Sequence, residues 1–232
     1  MPLRSLWHAL VGDQAGTPEA RDSLAVRVRD GLRLGTSVTD SMFDDLYPWK
    51  LRSMSRVHWT PVRVAVRCAQ LLAPRPGCRV LDVGSGVGKL CIIGALTTRG
   101  AFTGIEQYPQ LVECARDVAS LLGASKATFL TGLFSSLDPT DYHAFYFFNP
   151  FEENDWPRPF HQPAASPIAR GTFEGGVAEA RAFLREARPG SRVVTYNGLG
   201  GDLPPGYELA ERDRLGCTVE LWVKVARVTS VV

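Results

Sequence analysis

A doubly wound α/β fold is the architecture the sequence predicts, with a mostly parallel seven-stranded sheet behind an N-terminal helical cap. Three observations predict it. Short apolar runs alternate with amphipathic helical stretches from Arg79 onward. One run, Ala144-Phe-Tyr-Phe-Phe148, is apolar throughout, as a strand covered on both faces should be. A glycine-rich turn, Gly84-Ser-Gly-Val-Gly88, joins the first run to a helix, the place where doubly wound sheets hold their ligands.

The elements follow in order. Arg21 to Leu34 mixes Val, Leu and Arg at helix-like spacing after a turn at Asp13 to Pro18. Asp40 to Trp49 is aromatic and acidic together. Thr60 as N-cap and Pro61 as first helical residue start a helix running Val62 to Leu72, which Pro74, Pro76 and Gly77 end. Arg79 to Val83 reads as a buried strand and Lys89 to Thr98 as a helix. Ala101 to Glu106 is the second strand. Pro109 to Leu122 is a helix with Leu111, Val112, Ala115, Val118, Ala119 and Leu122 on one face. Strands at Ala127 to Thr131 and Ala144 to Phe148 precede a long loop over 150–176, rich in Pro, Gly and polar residues. Val177 to Ala187 is a helix and Arg192 to Tyr196 a strand. Tyr207 to Arg212 and Thr218 to Ala226 close the sheet as an antiparallel pair. The division is a cap over residues 1–75 and a ligand-binding domain over 76–232.

Composition limits the function classes. The 232 residues are 45% hydrophobic and 22% charged, ordinary for a globular chain able to bury a sizeable core. The net charge of +2, with scattered basic residues, disfavours a nucleic-acid partner. No apolar stretch reaches the ~18 residues of a membrane span, and Leu6 to Val11 is too short for a secretory signal. Five cysteines without a C-x-x-C pair argue against a disulfide framework or a structural zinc site, and point to buried free thiols in a reducing cytoplasm. Four scattered histidines suggest no metal cluster.

The glycine turn separates three ligand classes. A P-loop requires Ser or Thr after Gly-Lys, but Leu90 follows Lys89, and Val83 stands where its first glycine belongs. A dinucleotide fingerprint requires Gly or Ala at position 89, where Lys stands. What remains is strand-Asp82-x-Gly84-x-Gly86-x-Gly88, with Glu106 ending the next strand 22 residues after Gly84. An acid at that strand end can accept hydrogen bonds from both hydroxyls of a ribose.

Val80-Leu-Asp-Val-Gly-Ser-Gly-Val-Gly88 with Glu106 resembles the class I S-adenosylmethionine-dependent methyltransferases, from about Thr60 to the C-terminus. The resemblance implies a Rossmann-like fold and S-adenosyl-L-methionine as cofactor. It implies that Gly84 and Gly86 lie against the methionine part, with Ser85 and Gly88 also at the cofactor, that Asp82 holds the turn, and that Glu106 binds the ribose. Gln107 and Tyr108 would border the adenine, and Leu133 is in the family's adenine-contact region, where members often carry an acid. Asn149-Pro150-Phe151 resembles the Asn-Pro-Pro-Tyr/Phe motif of enzymes that methylate amide or exocyclic amine nitrogens, with Phe151 in place of the second proline. That likeness makes Asn149, Pro150 and Phe151 the catalytic candidates, Asn149 also facing the cofactor's methyl group. An Asn carbonyl can accept the amine's hydrogens and aim its lone pair. A shorter likeness, through Thr60-Pro61 and the glycine turn, is to the non-SET lysine N-methyltransferases, in which such an element closes the cofactor pocket.

The function expected is methyl transfer to an amine or amide nitrogen of a protein or small molecule. Small-molecule O-methylation, RNA methylation and a noncatalytic adenosine-nucleotide-binding module are the alternatives. Several residues carry a plainer expectation. Trp59, beside His58, packs the start of a helix, Asp44 and Asp45 lie on a solvated helix face, and Lys89 faces solvent. Glu152, Glu153, Asn154 and Asp155 follow the Asn-Pro-Phe corner, where acids can attract an ammonium group or take its proton, and His161 is a possible base in the same loop.

Overall fold

The computed structural model describes residues 17–52, 55–148, 172–214 and 217–226. Helix α1 (Pro18–Leu34) starts where the Thr17 hydroxyl accepts from the Ala20 N–H, and stops at Gly35, whose φ is 68°. Three short helices follow: α2 (Asp40–Asp44), α3 (Trp49–Arg52) and α4 (Ser55–His58). They occupy the aromatic and acidic stretch whose periodicity was too brief to read. Arg21 ties this layer down, donating to the Leu46 carbonyl and pairing with Asp117 at 3.0 Å.

Helix α5 (Val62–Leu72) has the expected range but a different start. The Thr60 hydroxyl does not cap it. The cap comes from Asp40 on α2, whose Oδ1 accepts from the Val62 N–H at 2.7 Å. Thr60 is buried, and its hydroxyl bonds to that of Tyr146 at 2.8 Å. A distant carboxylate has taken the local hydroxyl's place.

The sheet order is β3-β2-β1-β4-β5-β7-β6. Strands β1 (Arg79–Val83), β2 (Ala101–Glu106), β3 (Ala127–Thr131), β4 (Ala144–Phe148) and β5 (Arg192–Tyr196) run parallel. Strand β7 (Thr218–Lys224) runs antiparallel to both β5 and the edge strand β6 (Tyr207–Arg214). Between strands lie α6 (Lys89–Thr97), α7 (Pro109–Leu121) and α8 (Phe173–Glu186). Helix α8 begins four residues before the expected Val177, because the Thr172 hydroxyl accepts from the Gly175 N–H at 3.0 Å and supplies the N-cap. The apolar period shows the buried face, whereas the cap fixes the start.

Each face of the sheet carries its own core. On one face α5, α6 and α7 cover Val80, Phe102, Tyr146 and Val194, and residues of α1 to α3 join the same cluster. On the other, α8 covers Leu81, Val83, Phe145, Phe147 and Val193. This alternation along β1 and β4 is what a strand buried on both faces requires. The helices ahead of β1 therefore share a core with the sheet. Among the described residues no helix is long and apolar enough to cross a membrane.

Candidate active site

The chain runs from β1 outward through β2 to β3, then returns to β4 on the other side of β1. The carboxyl ends of β1 and β4 therefore flank the point where the winding reverses, which opens a crevice there. The turn over 84–88 lies at this crevice. Its conformation depends on glycine: φ is 72° at Gly84, 54° at Gly86 and 79° at Gly88. A side chain at Gly88 would collide with Phe129 and stand 2.8 Å from Ala115 Cβ, so α7 and β3 pack directly on the turn. Among the described residues nothing lies within 4 Å of the place a Cβ would take at Gly86. The backbone there borders open space in which a ligand can approach closely.

Two anchors hold the turn against β2. The Gly84 and Ser85 N–H groups both donate to the Ile105 carbonyl at 3.0 Å. Glu106 Oε2 accepts from the Gly86 N–H at 2.9 Å, and its Oε1 accepts from the Tyr108 N–H at 3.0 Å. Glu106 is buried, so its charge is held in place by backbone donors rather than by water. Asp82 plays a different part from the expected one. Its carboxylate receives the Cys91 thiol of α6 at 3.4 Å, and Glu106 holds the turn instead. Burial pushes the Asp82 carboxyl up to about 7; the Cys91 hydrogen bond lowers it in part and the charge of Glu106 raises it. The Ser85 hydroxyl is buried with no hydrogen-bond partner among the described residues.

Gln107 follows Glu106 and is partly exposed at the rim. Leu133, past the end of β3, is an exposed apolar side chain at 37%. The neighbouring Gly132 N–H donates to the Glu106 carbonyl at 3.0 Å, which brings this segment beside the acid. Thr60 lies across the sheet end on Tyr146 of β4, whose phenol burial pushes well above its usual range. Asn149, Pro150 and Phe151 lie outside the described residues, as do Glu152, Glu153, Asn154, Asp155 and His161.

The sequence did not reveal how the N-terminal helices grip the turn. Lys89, expected in solvent, is 3% exposed. Its ammonium pairs with Asp40 at 2.8 Å and Asp44 at 2.7 Å, and faces the rings of Phe43 and Trp59 at 5.4 and 6.0 Å. Asp44, expected on a solvated face, is buried and also accepts from the Ser55 hydroxyl. Asp45 does stay exposed, paired with Arg52 at 2.5 Å. The Tyr47 hydroxyl donates to the Val87 carbonyl, inside the turn itself, at 3.0 Å, and its ring packs edge-on to Trp59. A signal for this was present. A lysine at the first position of a helix opposes the helix dipole, and that misfit calls for carboxylates nearby.

Four of the five cysteines are buried free thiols, whereas Cys217 is exposed. Among the described residues no group of three or more His, Cys, Asp or Glu is arranged to hold a metal ion.

Comparison with known proteins agrees with this geometry. Residues 74–147 match the family described as "Methyltransferase domain". Over 67 residues the chain is 42% identical to protein-L-isoaspartate O-methyltransferase 1 of Arabidopsis thaliana, which is 27% of this chain and 28% of that protein. The chain thus matches little more than a quarter of that relative's length. Among solved structures, an RNA methyltransferase from Salinibacter ruber in complex with S-adenosyl-L-homocysteine aligns at TM-score 0.51 and 22% identity, covering 71% of this chain and 93% of that one. A SAM-dependent methyltransferase from Aquifex aeolicus aligns at TM-score 0.50 and 14% identity, covering 76% and 97%. MtNAS in complex with MTA and tNA aligns at TM-score 0.51 and 14% identity, covering 96% of this chain and 81% of that one, so this likeness runs through the helices ahead of β1. The sheet order and the aligned structures show the Rossmann-like fold that these S-adenosylmethionine-dependent methyltransferases share. The match to the methyltransferase domain is confined to residues 74–147.

Proposed function

We propose that the chain binds S-adenosyl-L-methionine at the glycine turn and transfers its methyl group to a nitrogen of a protein or small molecule. One observation carries the cofactor reading: open space beside Gly86, whose N–H is fixed to a buried Glu106 at the crevice between β1 and β4. The residues fit the group. A carboxylate is the acceptor best suited to the two hydroxyls of a ribose, and Glu106 ends β2 beside the turn. The N–H groups opening α6 suit the carboxylate of the methionine part. Gln107 and Leu133, both accessible, are our candidates to border the flat base.

The bound cofactor supplies an electrophilic methyl group on a sulfonium; the acceptor's lone pair forms the new bond while the carbon–sulfur pair stays on sulfur. The chain's task is to aim that lone pair and exclude water. Asn149, one residue past the end of β4, is our candidate for aiming it, with Pro150 fixing the backbone and Phe151 packing on the acceptor. The near-balanced charge supports a protein or small-molecule acceptor over RNA, and the composition supports a cytoplasmic setting.

The test is incubation with methyl-labelled cofactor and cell extract separated into protein, RNA and small-molecule fractions. Label in the protein or small-molecule fraction, stable to the mild base that cleaves methyl esters, is expected. Asn149→Ala should lower that transfer by about 100-fold with cofactor affinity unchanged. Base-labile label would assign transfer to oxygen. Label in RNA would overturn the acceptor class, and binding without any transfer would leave a binding module.

A further inference from the structure

Asp40 is placed to do more than cap a helix. It opens α2, and its Oδ1 receives two donors, the Val62 N–H and the Lys89 ammonium. Oδ2 takes no hydrogen bond from any described residue, and half of the side chain, 50%, remains exposed. Asp44, by contrast, is 11% exposed in its side chain, with one oxygen on Lys89 and the other on Ser55. One lysine against two carboxylates leaves a net charge of −1, and the accessible share of it lies on Asp40.

The topology says what this carboxylate overlooks. Lys89, its ion-pair partner, stands immediately past the turn that follows β1. On the other side, Asp40 accepts from the Val62 N–H, two residues past Thr60. Strand β4 lies next to β1. Thr60 meets Tyr146 of β4 on that same face of the sheet. There Phe148, the last residue of β4, packs its ring 4.7 Å from that of Tyr196. A half-exposed carboxylate and the half-buried Phe148 ring on one face of the sheet favour a cationic or amine-bearing ligand over a neutral hydroxyl.

We propose that Asp40 binds the amino group of the methyl acceptor, so that the N-terminal helices select amines for the site that the sheet provides. The assignment rests on the proposed use of S-adenosylmethionine, and the test separates the two. Sinefungin, a cofactor analogue, carries an amino group in place of the sulfonium methyl and so presents an ammonium where donor and acceptor meet. S-adenosylhomocysteine has no such group. Calorimetric affinities of both ligands are measured for the intact chain and its variants. The unaltered chain should prefer sinefungin. Asp40→Asn, whose carbonyl still accepts from Val62 and Lys89, should lower that preference about tenfold with S-adenosylhomocysteine affinity unchanged. Asp40→Ser keeps a hydroxyl acceptor while Lys89 keeps Asp44, and should give the same result if the first variant fails to fold. Asp45→Asn makes the same change of charge at a carboxylate already paired with Arg52, and should leave the preference intact. An unchanged preference in a folded Asp40 variant overturns the assignment, as does an equal loss in Asp45→Asn. Absence of S-adenosylhomocysteine binding by the unaltered chain overturns the cofactor reading itself and this assignment with it.

Discussion

At the scale of the residue, the Glu106 oxygens hold the Gly86 and Tyr108 N–H groups, so removing the side chain frees the turn as well as subtracting the proposed ribose acceptor. Glu106→Ala should weaken S-adenosylhomocysteine binding by about 1.5–3 kcal/mol, and Glu106→Gln, which keeps one carbonyl oxygen, by less. Equal affinities in folded Ala and Gln variants and the unaltered chain, measured by calorimetry, would remove Glu106 from the site. Asp82 gives a pH signature instead. Its carboxyl is raised from 3.8 to about 7, chiefly by burial. A raised acid contributes stability that is fully present below the unfolded value near 3.8 and is lost as pH climbs toward 7. Urea unfolding should therefore show stability falling between pH 4.5 and 7.5, by an amount on the order of a few kcal/mol, and Asp82→Asn should flatten that slope. The same slope in Asp82→Asn would assign the dependence to other groups.

At the scale of elements, the helices ahead of β1 are bonded to the turn at three places: Tyr47 to Val87, and Asp40 and Asp44 to Lys89. A buried ion pair is costly to break from one side only, because the surviving charge keeps its desolvation penalty without a partner. Lys89→Met should cost about 3–5 kcal/mol. Lys89→Met combined with Asp44→Leu should recover much of that loss, since both buried charges go together. Thermal and urea unfolding of the single and double variants check this, and additive losses would contradict a coupled buried pair. The element scale also shows what was legible in the sequence. The strands at 79–83, 101–106, 127–131, 144–148 and 192–196 were readable to the residue from apolar and β-branched runs between turn residues, most plainly in β1, β4 and β5, which are buried on both faces. The glycine turn was readable because positive φ restricts the residue types that can stand there, whereas Glu106 stood out as an acid ending the next strand. The start of α5 was not, because its cap comes from Asp40, 22 residues away. Lys89 and Asp44 were read as solvated for the same reason: a charge pattern does not show that opposite charges from two elements will meet in the core.

For the whole molecule, one sheet supplies a generic crevice at its carboxyl edge, and the added helices cover one side of it. The scaffold is shared by enzymes with many acceptors, so fold and turn identify the cofactor class more sharply than the acceptor. The account's central claim is that this crevice holds S-adenosylmethionine through the glycine turn and Glu106. Calorimetric titration of the purified chain with S-adenosylhomocysteine, beside Glu106→Ala, tests it most directly. The account predicts saturable binding of one ligand per chain, weakened tenfold or more by the substitution while the protein stays folded. A folded, unaltered chain that takes up no S-adenosylhomocysteine would contradict it.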